Sequence, residues 1–174
     1  MLIFVDSNVV NNSDHFYKAL PNHTRIIPTY VFSQLKENIK MVDDEDVMIH
    51  DLTNDARNIF KQYYKSDAKQ EIELEKLAKA FCNFAKHFSD KKPSNNVYIS
   101  LVLPIMGRIH EIKILNNVIT ECLKNHPKIQ LIPNNNILSS DLLSGGFHIN
   151  LNAVKIMINN WKEFIEQGIF LNVQ

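Results

Sequence analysis

Short apolar runs alternate with longer stretches of helical period along this chain, and this alternation constrains its fold more than any other feature. Each run is bounded by Asp, Asn, Pro or Ser, as strands usually are. Strands that alternate with helices form a parallel sheet covered on both faces. The sequence therefore predicts an α/β fold, a three-layer α/β/α sandwich with a five-stranded parallel sheet in the flavodoxin-like order. The predicted strands cover residues 2–5, 25–27, 47–49, 97–102 and 129–132.

Three stretches have the apolar periodicity of amphipathic helices. They cover residues 72–88, 109–123 and 151–165. Asn150 is positioned to cap the last of them. The aromatic residues in these stripes are interpreted as core, and the charged side of the first stretch as a solvated face.

Length and composition limit the classes of protein to which the chain can belong. With 174 residues, 45% of them hydrophobic, it can bury one sizeable core, and we expect a single domain over residues 1–174. Lys and Arg together number 19, as do Asp and Glu, so the chain lacks the excess positive charge that is typical of nucleic-acid-binding proteins.

Cys82 and Cys122 are interpreted as reduced thiols. No apolar run reaches membrane-spanning length or resembles a signal peptide, so we expect a protein of the cytoplasm or another intracellular compartment.

Three polar residues stand where the predicted strands end or the last helix begins. Ser7 follows the first strand, Asn54 follows the third, and His148 precedes the last helix in what we expect to be a flexible loop. Sites of open parallel sheets form at the carboxyl ends of the strands, so these side chains can meet at one edge. A hydroxyl becomes nucleophilic when a neighbouring base accepts its proton, and an amide can stabilise an oxyanion. The pattern indicates acyl-transfer chemistry.

Four segments resemble the motifs of the SGNH or GDSL-type hydrolases. Asp6-Ser7-Asn8-Val9 resembles the nucleophile motif, usually Gly-Asp-Ser, and residues 47–55 resemble the third motif, usually Gly-Thr-Asn-Asp. Residues 97–104 resemble the fourth strand with its loop, and residues 146–150 resemble the segment that carries the catalytic histidine. The resemblance spans nearly the whole chain.

The resemblance implies a role for each site residue. Ser7 is the implied nucleophile, Asn54 the oxyanion donor and His148 the base. Asp6, Asp55 and Asp141 are candidate supporting residues. Such a hydrolase acts on a small or lipid-like ester or acyl substrate and needs neither a metal nor an organic cofactor.

The chain departs from the SGNH pattern at three places. Val5 replaces the glycine before Asp-Ser, and residues 27–32 contain no glycine where the second motif supplies an oxyanion donor. Gly145 stands where the triad aspartate is expected, three residues before His148. Loss of the orienting aspartate costs about 10⁴ in turnover in a well-studied triad. Asp141 is the nearest acidic residue in sequence and can replace it only if the loop folds back.

Two other functions remain open from the sequence. The departures also suit a catalytically inactive SGNH-like module that binds RNA or a protein partner, for which the Oskar C-terminal domain is a fold-level precedent, and esterase-like domains of retrotransposon-encoded proteins are further relatives to consider. The opening residues also resemble a PIN-domain nuclease, in which Asp6 would bind Mg²⁺ or Mn²⁺. Gln34 stands where such nucleases usually carry a glutamate, and the later segments fit the SGNH pattern better.

Overall fold

A five-stranded, all-parallel sheet forms the centre of the computed structural model, which describes residues 1–171. The strands run in the order β2-β1-β3-β4-β5. This is the predicted flavodoxin-like order, and each strand lies within two residues of its predicted bounds. The strands are β1 (Leu2–Val5), β2 (Arg25–Pro28), β3 (Val47–His50), β4 (Val97–Ser100) and β5 (Ile129–Ile132).

Helices connect the strands and cover both faces of the sheet. They are α1 (Ser7–Val10), α2 (Ser13–Ala19), α3 (Phe32–Asn38), α4 (Thr53–Gln62), α5 (Asp67–Lys91), α6 (Ile109–Leu123) and α7 (Leu151–Leu171). Two 3₁₀ turns cover Ile39–Met41 and Ser139–Asp141. The predicted cap of α7 is confirmed, because Asn150 Oδ1 accepts a hydrogen bond from the Ala153 amide at 2.9 Å.

Strand β4 ends earlier than the sequence predicts. It stops at Ser100, whereas the apolar run continues to residue 102. The reason lies in Asn116 of α6, whose side chain accepts from the Val102 amide at 3.0 Å and donates to the Val102 carbonyl at 2.9 Å. A side chain therefore satisfies the backbone that a neighbouring strand would otherwise pair.

Two separate cores lie on opposite faces of the sheet. On one face, Phe4 and Ile49 pack against α3 to α6. On the other, Ile3 and Met48 pack against α1, α2 and α7, where Trp161 is fully buried. Alternate residues of each strand enter opposite cores, as the strand period requires. The predicted three-layer sandwich is confirmed.

The two cysteines lie on neighbouring helices of one layer. Cys82 of α5 is buried, Cys122 of α6 is half-buried, and both carry free thiols. Burial and the neighbouring Cys122 raise the pKa of Cys82 to about 12, so it stays protonated at neutral pH. Among the described helices, none combines the length and the apolar character needed to cross a membrane.

Leu52 joins β3 to α4 in a left-handed backbone conformation with φ of 80°. Its side chain is only 1% exposed and packs in the core against the sheet. The third SGNH motif usually has glycine at this place, which adopts such a φ without strain. Here the burial of a large apolar side chain offsets the backbone strain of about 1–2 kcal/mol.

We predict an unusual order of stability at position 52. Leu52→Ala loses the buried side chain and keeps the strain, so the free energy of unfolding falls by about 2–5 kcal/mol. Leu52→Gly loses the same contacts but relieves the strain, and we expect it to be about 1 kcal/mol more stable than Leu52→Ala. Urea denaturation of the three proteins checks the order Leu, Gly, Ala. An alanine variant as stable as the glycine variant contradicts the strain.

Candidate active site

Ser7 is the first residue of α1, directly after β1, and is half-buried. Asp6 caps this helix, because its Oδ1 accepts a hydrogen bond from the Asn8 amide at 2.9 Å. The amide of a first helical residue has no partner within the helix. Ser7 therefore presents both a hydroxyl and a backbone donor at the carboxyl end of β1.

The Asp6 carboxylate connects β1 to β3 beneath Ser7. Its Oδ2 accepts a hydrogen bond from the Thr53 hydroxyl and lies 3.6 Å from His50 Nε2. Asp6 and His50 are both fully buried. His50 Nδ1 lies 3.2 Å from the Ser100 carbonyl oxygen, and this nitrogen carries a proton because a carbonyl can only accept. Asp6 thus fixes the two strand ends relative to each other.

Asn8 ties the segment around His148 to the residue after Ser7. Its Nδ2 donates to the Phe147 carbonyl at 3.2 Å, and its Oδ1 accepts from the Ile149 amide at 3.2 Å. Asn8 is 1% exposed, so both ends of its side chain are satisfied inside the protein. These two bonds flank His148 on both sides and bring its backbone next to Ser7.

The His148 segment is a turn held by backbone hydrogen bonds. Its backbone closes on itself, because Leu143 donates to the His148 carbonyl at 2.7 Å and Gly146 donates to the Leu143 carbonyl at 2.8 Å. Met106 also donates to the Gly146 carbonyl at 2.7 Å. Gly146 has φ of 77°, and a Cβ atom there would lie 3.0 Å from Met106 Cβ. The turn thus depends on a glycine.

The imidazole of His148 has no partner for its inner nitrogen. Nδ1 is buried and makes no hydrogen bond within the described residues. The ring packs on Phe147, with 4.1 Å between the ring centroids. Gly145, three residues before His148, has no side chain that could reach this nitrogen.

Asn54 is the second residue of α4 and is joined to the His148 turn through Arg57. Asn54 Nδ2 donates to the Tyr30 carbonyl at 2.9 Å, and its Oδ1 accepts from Arg57 Nη1 at 3.3 Å. The Arg57 guanidinium in turn lies 3.4 Å above the centre of the Phe147 ring. The three predicted site residues thus lie on elements linked by direct contacts of Asn8 and Arg57.

The other two candidate supporting residues make structural contacts. Asp55 Oδ2 accepts from the Phe32 amide at 3.0 Å, which joins α4 to α3, and burial raises the pKa of this carboxyl. Asp141 accepts from the Leu138 amide at 3.0 Å and from Asn152 Nδ2 at 3.1 Å. These bonds lower the pKa of Asp141, and neither of them involves His148.

Asp51 is a further buried carboxyl at the end of β3 and is 3% exposed. Burial, together with the nearby Asp6 and Asp55, raises its pKa to about 8, although the hydrogen bond from the Leu52 amide acts in the opposite direction. Its Oδ1 accepts from the Leu52 amide at 2.7 Å. At neutral pH this group is mostly protonated, so it adds little negative charge to the site.

Sequence reasoning assigned no role to Asn8, Thr53, Arg57 or Asp51. Two of them had a signal in the chain. Asn8 lies inside the nucleophile motif, and Arg57 stands three residues after Asn54, a spacing that puts two helical side chains on one face. The contact of Thr53 with Asp6 depends on the pairing of β1 with β3, which joins residues far apart in sequence.

A groove of about 660 Å³ lies elsewhere on this edge of the sheet, between α6 and residues 134–140. Val102, Ile112, Asn116 and Leu138 are among the residues that line it. None of the predicted site residues borders it. In the described part of the chain, no group of three or more His, Cys, Asp or Glu side chains is arranged to hold a metal ion.

Solved structures of lipases and esterases share this architecture. A lipase from a goat rumen metagenome, Lip_vut3, superposes with a TM-score of 0.68 at 12% identity, over 93% of this chain and 95% of that one. A member of the lipolytic G-D-S-L family from Veillonella parvula gives 0.64 at 15% identity, over 93% and 95%. An acetyl esterase mutant with acetate ion gives 0.65 at 10% identity, over 100% and 98%.

At these identities the likeness establishes the fold. The chain has the α/β fold of the SGNH or GDSL-type hydrolases. No family model and no curated protein matches the sequence itself.

The raised pKa of Asp51 predicts how stability depends on pH. Its pKa in the unfolded chain is about 4, so between pH about 4 and 8 the folded protein binds more protons than the unfolded chain. The free energy of unfolding therefore falls as pH rises through this interval. Asp51→Asn removes the titrating group, so its stability relative to the wild type should be about 2–4 kcal/mol more favourable at pH 8.5 than at pH 5.

Urea denaturation at the two pH values measures this difference, with Asp141→Asn as the control. The pKa of Asp141 is lowered, so this carboxyl is ionised at both pH values, and the stability difference between Asp141→Asn and the wild type should be the same at pH 5 and at pH 8.5. A pH-independent difference between Asp51→Asn and the wild type contradicts a proton on Asp51 in the fold.

Proposed function

We propose that this protein is a serine ester or acyl hydrolase that acts on small esters through a Ser7–His148 dyad. Ser7 attacks the ester carbonyl, His148 accepts the proton of the hydroxyl, and Asn54 with the Ser7 amide stabilises the oxyanion. The observation that carries the proposal is the double hydrogen bond of the buried Asn8 to the two residues that flank His148. This contact fixes the turn that carries the base against the segment that carries the nucleophile.

The proton transfer defines what each ring nitrogen of His148 must do. Nδ1 is buried, so Nε2 is the nitrogen that accepts the proton from Ser7, and Nδ1 then carries its own proton. In a complete triad a carboxylate accepts a hydrogen bond from that N–H, which holds the tautomer and stabilises the imidazolium. Without this carboxylate, the buried Nδ1–H of His148 has no acceptor, and this raises the free energy of the imidazolium that forms in each turnover.

The oxyanion hole also has fewer free donors than a full SGNH site. One N–H of Asn54 donates to the Tyr30 carbonyl, and the Tyr30 amide donates to Gln34 Oε1 at 2.8 Å. Each oxyanion donor is worth about 10²–10³ in turnover. The Ser7 amide and the second N–H of Asn54 remain as donors. We therefore expect a slow hydrolase.

The two alternative functions stay predictions with less support. No contact described above favours an RNA or protein partner over a small ester. The nuclease alternative needs Asp6 as a metal ligand, whereas the Asp6 carboxylate is fully buried and accepts hydrogen bonds from Asn8 and Thr53.

Ser7→Ala should abolish the hydrolysis of short-chain p-nitrophenyl esters. The substitution removes only a half-buried hydroxyl, so the free energy of unfolding should change by less than about 1 kcal/mol. Steady-state kinetics of both proteins, with Ser13→Ala as a matched serine control in the next helix, measure the effect. Equal turnover in Ser7→Ala and wild type would exclude Ser7 as the nucleophile.

Gly145→Asp should raise kcat by supplying the missing carboxylate. A Cβ atom at Gly145 would make its nearest contact with Phe147 Cε1 at 3.5 Å, so the position has room for a side chain. The gain can reach about 10⁴, the value of such an aspartate in a well-studied triad. The matched control is Gly145→Asn, which has the same shape without the charge.

The two variants at position 145 separate geometry from charge. A gain in kcat with aspartate and none with asparagine supports an imidazole that lacks only its orienting partner. Equal kcat values for both variants and the wild type indicate that the orienting carboxylate does not limit the dyad.

A further inference from the structure

We propose that Arg57 binds an anionic group on the substrate, so that this hydrolase prefers esters that carry a carboxylate or phosphate close to the scissile carbonyl. The inference rests on the proposed function, because it names the substrate class of the same site.

Arg57 lacks the acidic partner that the other arginines have. Arg25 pairs with Glu45 at 3.1 Å, and Arg108 pairs with Glu111 at 3.2 Å. Within the described residues, no carboxylate oxygen lies within 4.0 Å of the Arg57 guanidinium. A half-buried guanidinium without a counter-ion is a binding site for an anion from outside the protein.

Two contacts hold the Arg57 guanidinium in place while most of its donors stay free. Its Cζ atom lies 3.4 Å over the centre of the Phe147 ring, and Nη1 donates to Asn54 Oδ1 at 3.3 Å. A guanidinium has five N–H donors, and only one is used in this bond. Because the side chain is already ordered, a planar anion can bind the remaining donors with little further loss of conformational entropy.

Arg57 contacts two residues of the proposed catalytic site or its immediate neighbours. One of its contacts is the proposed oxyanion donor Asn54, and the other is the residue before the proposed base His148. An ester whose anionic end binds Arg57 therefore has its carbonyl within a short acyl chain of the reacting groups. Such binding orients the substrate carbonyl relative to Ser7 and His148, which partly compensates for the missing catalytic groups.

The test compares two esters with the same leaving group. Mono-p-nitrophenyl succinate carries a carboxylate on the acyl chain, and p-nitrophenyl acetate carries none. Wild type should hydrolyse the succinate ester with the higher kcat/KM. Arg57→Gln should lower the ratio of the two kcat/KM values about tenfold or more, and Arg57→Lys should keep part of the ratio because the charge remains.

Using a ratio removes effects that both esters share. Loss of the Asn54 contact slows both reactions equally and leaves the ratio unchanged, whereas loss of an anion site slows only the succinate ester. Arg25→Gln is the matched control, because it removes an arginine that pairs with Glu45. A ratio that stays at the wild-type value in Arg57→Gln overturns the anion site, even if both esters are hydrolysed.

Competition experiments distinguish the two anion chemistries. Succinate and inorganic phosphate are added separately to the acetate ester reaction, with neutral succinamide as the control. Inhibition by succinate alone identifies a carboxylate site, and inhibition by phosphate alone a phosphate site, provided that each disappears in Arg57→Gln. Inhibition by neither anion overturns the inference.

Failure of the proposed function gives a different result. If wild type hydrolyses neither ester, the dyad is excluded, and calorimetric titration of wild type and Arg57→Gln with succinate and with phosphate then decides the anion site alone. Binding of either anion that the substitution removes supports the site, and no difference between the two proteins overturns it.

Discussion

The buried carboxylate of Asp6 is the interaction on which the rest of the edge depends. Its two oxygens cap the helix that begins at Ser7 and accept the hydroxyl at the start of α4, so the ends of β1 and β3 are fixed relative to each other. A buried carboxylate is costly unless its oxygens are hydrogen-bonded. Here both are, and the same hydrogen bonds fix the start of α1 relative to the start of α4.

Several buried polar atoms at this edge of the sheet have no hydrogen-bond partner among the described residues. They are Thr29 Oγ1, His50 Nε2, Asp51 Oδ2 and His148 Nδ1. Each such atom costs free energy on folding, and together they lie near the carboxyl ends of β1, β2 and β3 or in the His148 turn. Unpartnered buried polar atoms are rare in native structures and occur more often at strained or functional sites than in ordinary cores.

Local sequence patterns predicted the five strands and the helices α5, α6 and α7, but not the extents of α1 to α4 or the contacts between elements. The five strands and the cap by Asn150 follow from short-range apolar patterns and turn residues. Strand β4 was predicted too long because an apolar run does not show that Asn116 satisfies the backbone of Val102. The link from Asn8 to the His148 turn joins residues separated by more than a hundred positions, and no periodicity indicates it. Motif order predicted that Ser7, Asn54 and His148 share one edge, whereas the side chains that connect them became visible only in three dimensions.

The fully buried Trp161 gives this fold an optical consequence. It is the sole tryptophan of the sequence, its Nε1 donates to Ser100 Oγ at 2.9 Å, and its ring lies 4.8 Å from that of Phe16. The ring of His50 lies 6.2 Å away on the same face of the sheet. All indole fluorescence of the protein therefore originates in the core directly behind the end of β3. Its emission reports the packing beneath the candidate site without any label attached to it.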